Sequence, residues 1–221
     1  MTSTQVNAKP PHVSRFMALL TVPWVDKTIA VIAILPNGIE LYRRYSGGHL
    51  TFPRAILSIQ ILVLIVTMVF RRTPVRVTPN PWFWLLAFVA TYGMLAFTAF
   101  ASNGRPLTAP VVSSTLAVVA ALVLLFARIS LGRSIGFVPA NRGIVSTGAY
   151  RFVRHPIYTG IFIALAGFLL RSYTPLNVIL AMTLVLLFMI KSVVEEHVLR
   201  VDAEYAAYLQ RVRWRWFPGI V

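Results

Sequence analysis

The residues with the most chemical potential lie in one short segment, residues 148–160, which reads GAYRFVRHPIYTG. This segment places cations, an imidazole and two phenols directly before a hydrophobic run. Pro156 suits the first turn of a helix, because it has no N–H to lose and its φ is already helical. His155 is then expected at or near the N-cap, where free amides and the positive end of the helix dipole attract anions. The segment therefore predicts a binding site for a carboxylate or a phosphate.

A second set of reactive residues stands at the end of the last apolar run: Lys191, Glu195 and Glu196. Lys191 and Glu195 are four residues apart and share a helix face, so a surface ion pair is one reading. Two acidic residues at a membrane edge are costly without partners, however. A carboxylate that faces a basic, aromatic pocket binds ribose hydroxyls or a cation, which is the other reading.

The composition indicates an all-α, polytopic membrane protein, because 57% of the residues are hydrophobic and only 12% are charged. The first of six candidate spans is short and contains Pro36-Asn37-Gly38, so it is read as a span, a broken span or a hairpin that only dips into the bilayer. Five spans are the alternative count. The candidates are Thr28 to Leu41, Ala55 to Phe70, Trp82 to Ala101, Val111 to Ala127, Ile157 to Leu170 and Leu176 to Val194.

We treat residues 1–221 as a single domain with two zones, N-terminal spans over 1–127 and a cofactor-binding region over 128–221. The turn at residues 171–175 is so short that the last two spans are expected to form an antiparallel helical hairpin. Such a hairpin returns Glu195 to the level of His155 and Tyr158. Small residues at Gly160, Ala164 and Gly167 are expected to let another helix approach the fifth span closely.

The net charge of +15 does not indicate nucleic acid, because the basic residues cluster at the ends of apolar runs and do not form a face. An excess of Lys and Arg marks the cytoplasmic side, which puts the segments 71–76 and 128–154 and the tail after residue 196 in the cytoplasm. The turns near Arg105 and Arg171 are then external. Three arginines do not fit this assignment of segments to the two sides of the membrane, because they fall on the external side: Arg43, Arg44 and Arg54.

Several classes of site are excluded by what the sequence lacks. There is no cysteine, and no other histidine lies near His155 in the sequence, so no metal site is expected. The glycine-rich dinucleotide-binding and phosphate-binding loops are absent. No obligate protein partner is evident. The residues alone thus indicate a cytoplasmic membrane pocket for an anionic or zwitterionic cofactor.

The tail after residue 202 has the pattern of an amphipathic helix, with Tyr205, Tyr208, Leu209 and Val212 on one side. It is followed by the run WRWFP at residues 214–218. Interleaved aromatics and arginines are typical of an interfacial anchor. An aromatic lid over a bound nucleoside is the alternative, and the two are compatible.

The last 95 residues or so resemble the superfamily of isoprenylcysteine carboxyl methyltransferases and phospholipid methyltransferases. The resemblance rests on Gly-x-Tyr at residues 148–150, Arg-His-Pro-x-Tyr at 154–158, the two-helix pattern and the pair Glu195-Glu196, which occur in that order. Supporting runs are LGRS at 131–134, NRGIVSTGAY at 141–150 and YAAY at 205–208. The N-terminal spans carry no such resemblance.

The resemblance implies that S-adenosylmethionine binds in a cytoplasmic pocket formed by this region. It implies cofactor contacts at Arg142, Gly143, Ile144, Val145, Tyr150, His155, Pro156, Ile157, Tyr158 and Glu195, to which we add the neighbouring Arg154 and Glu196. The methionine carboxylate suits the helix N-terminus, and the sulfonium suits an aromatic and acidic surrounding. Lys191 lies one turn before Glu195, about 6 Å deeper along the helix, and is expected to position the acceptor.

The expected function is methyl transfer from S-adenosylmethionine to a lipophilic acceptor in the membrane, at a carboxylate, amine or thiol of a lipid-like molecule. The eukaryotic prenylcysteine enzymes have an Arg where this chain has Lys191, and an upstream Asn-x-x-His element where it has IGFV at 135–138. Both differences weigh against a prenylcysteine carboxylate as the acceptor. The alternatives are an NADPH-dependent membrane reductase of the sterol-reductase type and a non-enzymatic lipid-binding protein.

Overall fold

The computed structural model describes residues 22–46, 52–136 and 138–220, and these residues are mainly helical. The long helices are α1 (Pro23–Ser46), α2 (Phe52–Val69), α3 (Pro81–Phe100), α4 (Pro110–Leu131), α5 (Pro156–Arg171) and α6 (Pro175–Leu199), followed by the short α7 (Ala203–Arg211). Two short strands, β1 (Arg76–Val77) and β2 (Ala140–Asn141), pair antiparallel. Short 3₁₀ turns cover Gly132–Ser134 and Gly148–Arg151.

Proline starts five of these helices, at Pro23, Pro81, Pro110, Pro156 and Pro175. Its missing N–H costs nothing in the first turn, where no intrahelical acceptor exists. Side-chain caps reinforce two of the starts. Asn80 accepts from the amide of Trp82, and Thr174 accepts from the amide of Asn177.

Among the residues that the structure describes, two helical stretches of 25 residues each are long and apolar enough to cross a bilayer. They are Pro110–Ser134, with mean hydropathy 2.3, and Pro175–Leu199, with mean hydropathy 2.2. At about 1.5 Å per residue each exceeds the bilayer's hydrocarbon thickness of about 30 Å. Shorter apolar stretches are Ser58–Val69, Pro81–Met94 and Pro156–Arg171. The count of five or six spans stays a prediction.

The structure of helix α1 excludes the hairpin interpretation of the first apolar segment. Its backbone is helical from Pro23 to Ser46 with Pro36 inside, so the segment is a continuous helix and not a hairpin. Pro36 has no N–H and so removes one backbone hydrogen bond, yet the helix continues through this residue. The side chain of Arg44 and that of Arg54 lie outside the described part of the structure.

Helices α4 and α5 form a close pair, as the small residues of α5 predict. A Cβ atom on Gly160 would lie 2.6 Å from Leu124 Cγ, and one on Gly167 would lie 3.1 Å from Leu116 Cβ. The prediction of a close helix approach along this face is therefore confirmed at both glycines. The largest buried cluster continues from Leu124 and Ile161 to Phe188 on α6.

The basic segments that the charge pattern places on one side meet at one end of the fold. The amide of Arg72 donates to the carbonyl of Arg133 at 2.7 Å, and β1 pairs with β2 just beyond. At the other end, Arg105 bridges to Tyr173, and buried Asn177 donates to the carbonyls of Ser102 and Ser172. Residues 172–174 connect α5 to α6 at that second end.

Candidate functional site

The candidate site is built around the first turn of α5, at the same end as the paired strands. His155 is the N-cap and Pro156 the first helical residue, as predicted. The amides of Arg154 and His155 are not open, however. They donate to the carbonyls of Trp214 and Arg215 at 2.9 Å each, and Thr159 Oγ1 donates to the carbonyl of Trp216. Residues 212–216, here called the tail segment, thus run along the start of α5.

Glu196 is the centre of a buried ionic network and has a side chain only 2% exposed. Arg154 Nη1 lies 3.1 and 3.2 Å from its two oxygens, and Arg215 donates Nε and Nη2 at 3.0 Å each. His155 Nε2 is 3.2 Å from Oε1, and the largely exposed Arg200 approaches to 3.7 Å. One carboxylate therefore holds the start of α5, the end of α6 and the tail segment together.

Arg154 also anchors the tail segment directly. It donates Nε to the carbonyl of Val212 at 2.8 Å and Nη2 to that of Arg213 at 2.6 Å. Its donors are thus directed toward the protein's own groups. The hydrogen bonds to Glu196 raise the pKa of Arg215, which keeps this guanidinium charged.

Glu195 has a different environment from its neighbour. Tyr158 donates its hydroxyl to both carboxylate oxygens, at 2.7 and 2.8 Å. His155 Nδ1 and Lys191 Nζ each lie 3.7 Å away, beyond hydrogen-bond distance, and the side chain is 20% exposed. A carboxylate has about four lone-pair sites, so Glu195 retains acceptor capacity that Glu196 has used.

Aromatic rings form a wall beside Glu195. The rings of His155 and Tyr158 are parallel with centroids 5.3 Å apart, and Phe188 packs on Tyr158 at 5.0 Å. The buried Lys191 ammonium is 5.7 Å from the Tyr158 ring and 3.3 Å from Thr91 Oγ1 on α3. Lys191 thus connects the Glu195 carboxylate to a helix of the N-terminal zone.

Tyr150 is buried, and its carbonyl accepts the Tyr208 hydroxyl at 2.8 Å. Burial raises the pKa of Tyr150, Tyr205 and Tyr208, so all three phenols are neutral at physiological pH. Tyr205, Tyr208 and Val212 form one buried cluster with Ile144 and Leu199. The amphipathic face predicted for α7 is therefore the face that packs on the protein.

The residues of the loop before Tyr150 contact different parts of the protein. Ile144 packs against α7, and Val145 packs in the cluster of Ala127 and Tyr150. Gly143 has a φ of +96°, which favours glycine, and its amide donates to Asn141 Oδ1 at 2.8 Å. Arg142 turns away to Asp26, and burial followed by the charge of Arg71 lowers its pKa.

The structure thus joins six of the thirteen predicted site residues through direct contacts: Arg154, His155, Tyr158, Lys191, Glu195 and Glu196. Pro156 and Ile157 form the first turn of α5, and Ile157 packs into the core. Arg142 lies in a separate ionic cluster. The sequence reading missed Thr91, Arg215 and Asp26. Of these three residues, only Arg215 lies in a stretch that the sequence pattern had indicated as a possible contact, the WRWFP run.

Comparison with known protein families identifies the region that holds this site. Residues 111–202 match the phospholipid methyltransferase family, part of the superfamily that includes the isoprenylcysteine carboxyl methyltransferases. The resemblance stated from the motifs is therefore confirmed. The matched region contains both glutamates and Tyr158, whereas Thr91 and Arg215 lie outside it. None of the curated proteins compared matches the chain.

Proposed function

We propose that this chain, whose residues 111–202 match the phospholipid methyltransferase family, transfers a methyl group from S-adenosylmethionine to a lipophilic acceptor. The family supports a membrane methyltransferase. One observation carries the finer proposal: within the matched region a partly exposed carboxylate, Glu195, stands beside the parallel rings of His155 and Tyr158.

The donor set around Glu195 fits the proposed cosubstrate. Tyr158 holds the carboxylate in place and leaves it acceptor capacity for ribose hydroxyls or for the positive sulfonium. The rings of His155 and Tyr158 give an apolar, electron-rich surface. When bound, S-adenosylmethionine would supply an electrophilic methyl carbon, so neither a metal nor a covalent intermediate is needed.

Lys191 is proposed to act on the acceptor. Its ammonium lies between Glu195 and Thr91, one turn before the carboxylate and inside the apolar part of α6. A buried cation attracts the polar head of a molecule that arrives through the bilayer. Alignment and exclusion of water then provide most of the rate, as expected for displacement at a sulfonium methyl.

The test is a binding titration of the purified protein in neutral detergent. S-adenosylhomocysteine should bind and NADPH should not, and Glu195→Gln should weaken the affinity. Glu204→Gln is the matched control, since Glu204 is exposed at the start of α7. Binding of NADPH alone would replace the proposal with a reductase. Binding of neither would replace it with a lipid-binding role.

The proposed orientation places the site end and α7 in the cytoplasm, in a chain that crosses the membrane several times. The natural sequence has no cysteine, so single cysteines give clean labels. Ala207→Cys should resist a membrane-impermeant thiol reagent in intact cells, whereas Asn103→Cys should react. Both positions are exposed, and they lie at opposite ends of the fold. Equal labelling of the two would refute this topology.

A further inference from the structure

A second ionic cluster lies apart from the candidate site, where the start of α1 meets the end of α2. Asp26 accepts two hydrogen bonds from Arg71, from Nε at 2.9 Å and from Nη2 at 2.6 Å. Arg142 adds a third at 2.8 Å, to the Oδ1 atom that Arg71 already uses. All three side chains are at most 6% exposed.

The charges in this cluster do not balance. One carboxylate compensates one guanidinium, and the bidentate contact of Arg71 already uses it. Arginine does not escape by losing its proton, because a guanidinium stays protonated in proteins. Arg142 is therefore an excess buried cation, a state that is costly without a counter-charge.

Arg142 also retains an unused donor. Its Nε is buried and has no hydrogen-bond partner among the described residues. Apart from Asp26, the charged groups described near this cluster are further cations. Lys27 Nζ donates to the carbonyls of Val69 and Arg71, and Arg133 Nε donates to that of Phe70 at 2.7 Å. A free donor on an excess buried cation, surrounded by other cations, calls for an oxyanion.

Two exposed aromatic residues flank the cluster and indicate where this anion comes from. Trp24 is 69% exposed two residues before Asp26, and Phe70 is 61% exposed next to Arg71. Aromatic side chains of this kind are enriched where a membrane protein meets the headgroup layer. The apolar faces of α1 and α2 continue from there with exposed Val31, Ile32, Leu62 and Val66, a surface suited to acyl chains.

We propose that Arg142, Arg71 and Lys27 form a binding site for a phosphate group, carried by an anionic lipid headgroup or free in solution. The phosphate supplies the missing negative charge and accepts the Arg142 Nε–H. It thereby ties the loop before β2 to helices α1 and α2. This site is distinct from the Glu195 cluster, and its test requires no methyl donor.

The test compares lipid retention and thermal unfolding of the purified protein in neutral detergent. Phosphatidylglycerol should raise the melting temperature, and native mass spectrometry should show it retained. Arg142→Gln should remove more than half of that increase and lower the retention by one lipid. Arg171→Gln is the control, because Arg171 is exposed at the opposite end of the fold, and it should keep both.

Asp26→Asn separates a phosphate site from a purely structural ion triad. It removes the competing carboxylate and leaves two guanidiniums, so the stabilisation by phosphatidylglycerol should be kept or increased. A stabilisation that is unchanged in Arg142→Gln, or lost in Asp26→Asn, would overturn the proposal. An equal effect of inorganic phosphate would assign the site to the free anion, and phosphatidylglycerol acting alone would assign it to the lipid.

Discussion

The adjacent residues Glu195 and Glu196 should fail in different ways when each loses its charge. Glu196→Gln leaves the Arg154 guanidinium, whose side chain is 8% exposed, without its compensating carboxylate. Removing one partner of a buried ion pair costs about 3–5 kcal/mol. Arg215 and His155 lose the same partner, whereas the exposed Arg200 contributes little.

This cost should appear as local opening, because the network is what fastens the tail segment to α5. At about 1.4 kcal/mol per tenfold, a loss of about 3 kcal/mol raises the open population by about a hundredfold. Hydrogen exchange measures that population. We expect the amides of Arg154 and His155, which donate to tail carbonyls, to exchange about a hundredfold faster in Glu196→Gln.

Glu195→Gln is the matched comparison, since it removes the same charge one residue earlier. It should leave the exchange of these two amides within about threefold of wild type and instead weaken S-adenosylhomocysteine binding. Exchange that accelerates equally in both variants would refute the division of roles between the glutamates. Exchange unchanged in Glu196→Gln would refute the energetic role of the network.

Two further predictions concern the helices that carry the site. Lys191→Ala should spare cofactor affinity yet lower the transfer rate at least tenfold. The contrary outcome is that Lys191→Ala and Glu195→Gln destabilise the protein equally and that the double variant is no less stable than either single one. The two residues would then form a structural ion pair. Gly160→Ala should lower the melting temperature by about 2–12 °C, because its Cβ would meet Leu124 Cγ at 2.6 Å and overpacking costs about 1–3 kcal/mol. Gly38→Ala is the control, because no atom described in the structure lies within 4 Å of the added Cβ, and it should not destabilise the protein. An equal fall in melting temperature in both variants would disprove the packing argument.

Much of the local structure followed from sequence patterns that act over one or two helical turns. Proline at the first helical position predicted the start of α5, because its effect involves neighbouring groups only. Glycine at positions 160 and 167 predicted the close approach of another helix, which the structure shows to be α4. The continuity of helix α1 through Pro36 was less predictable from the sequence, since a proline at this position is equally compatible with a break in the helix.

The partners of the site residues were less predictable, because most come from distant parts of the chain. Arg154 and Glu196 were both assigned to the cofactor, yet each is already paired with groups of the protein itself. Arg215 reaches Glu196 from beyond α7, and Asp26 pairs with Arg142 across 116 positions. Spacing within a motif reports which residues share a helix face and is silent about such long-range neighbours. The assignments of Tyr158 and Glu195 stay predictions.

The route of the tail segment sets an order for biosynthesis. During translation α5 and α6 leave the ribosome before residues 212–216, so Arg154, His155 and Glu196 must wait for Arg215 and the tail carbonyls. Until then the start of α5 has exposed amides and the cluster lacks its closing cation. The site therefore becomes complete only after the tail segment has been made, which makes closure of the Glu196 network the last step in its assembly.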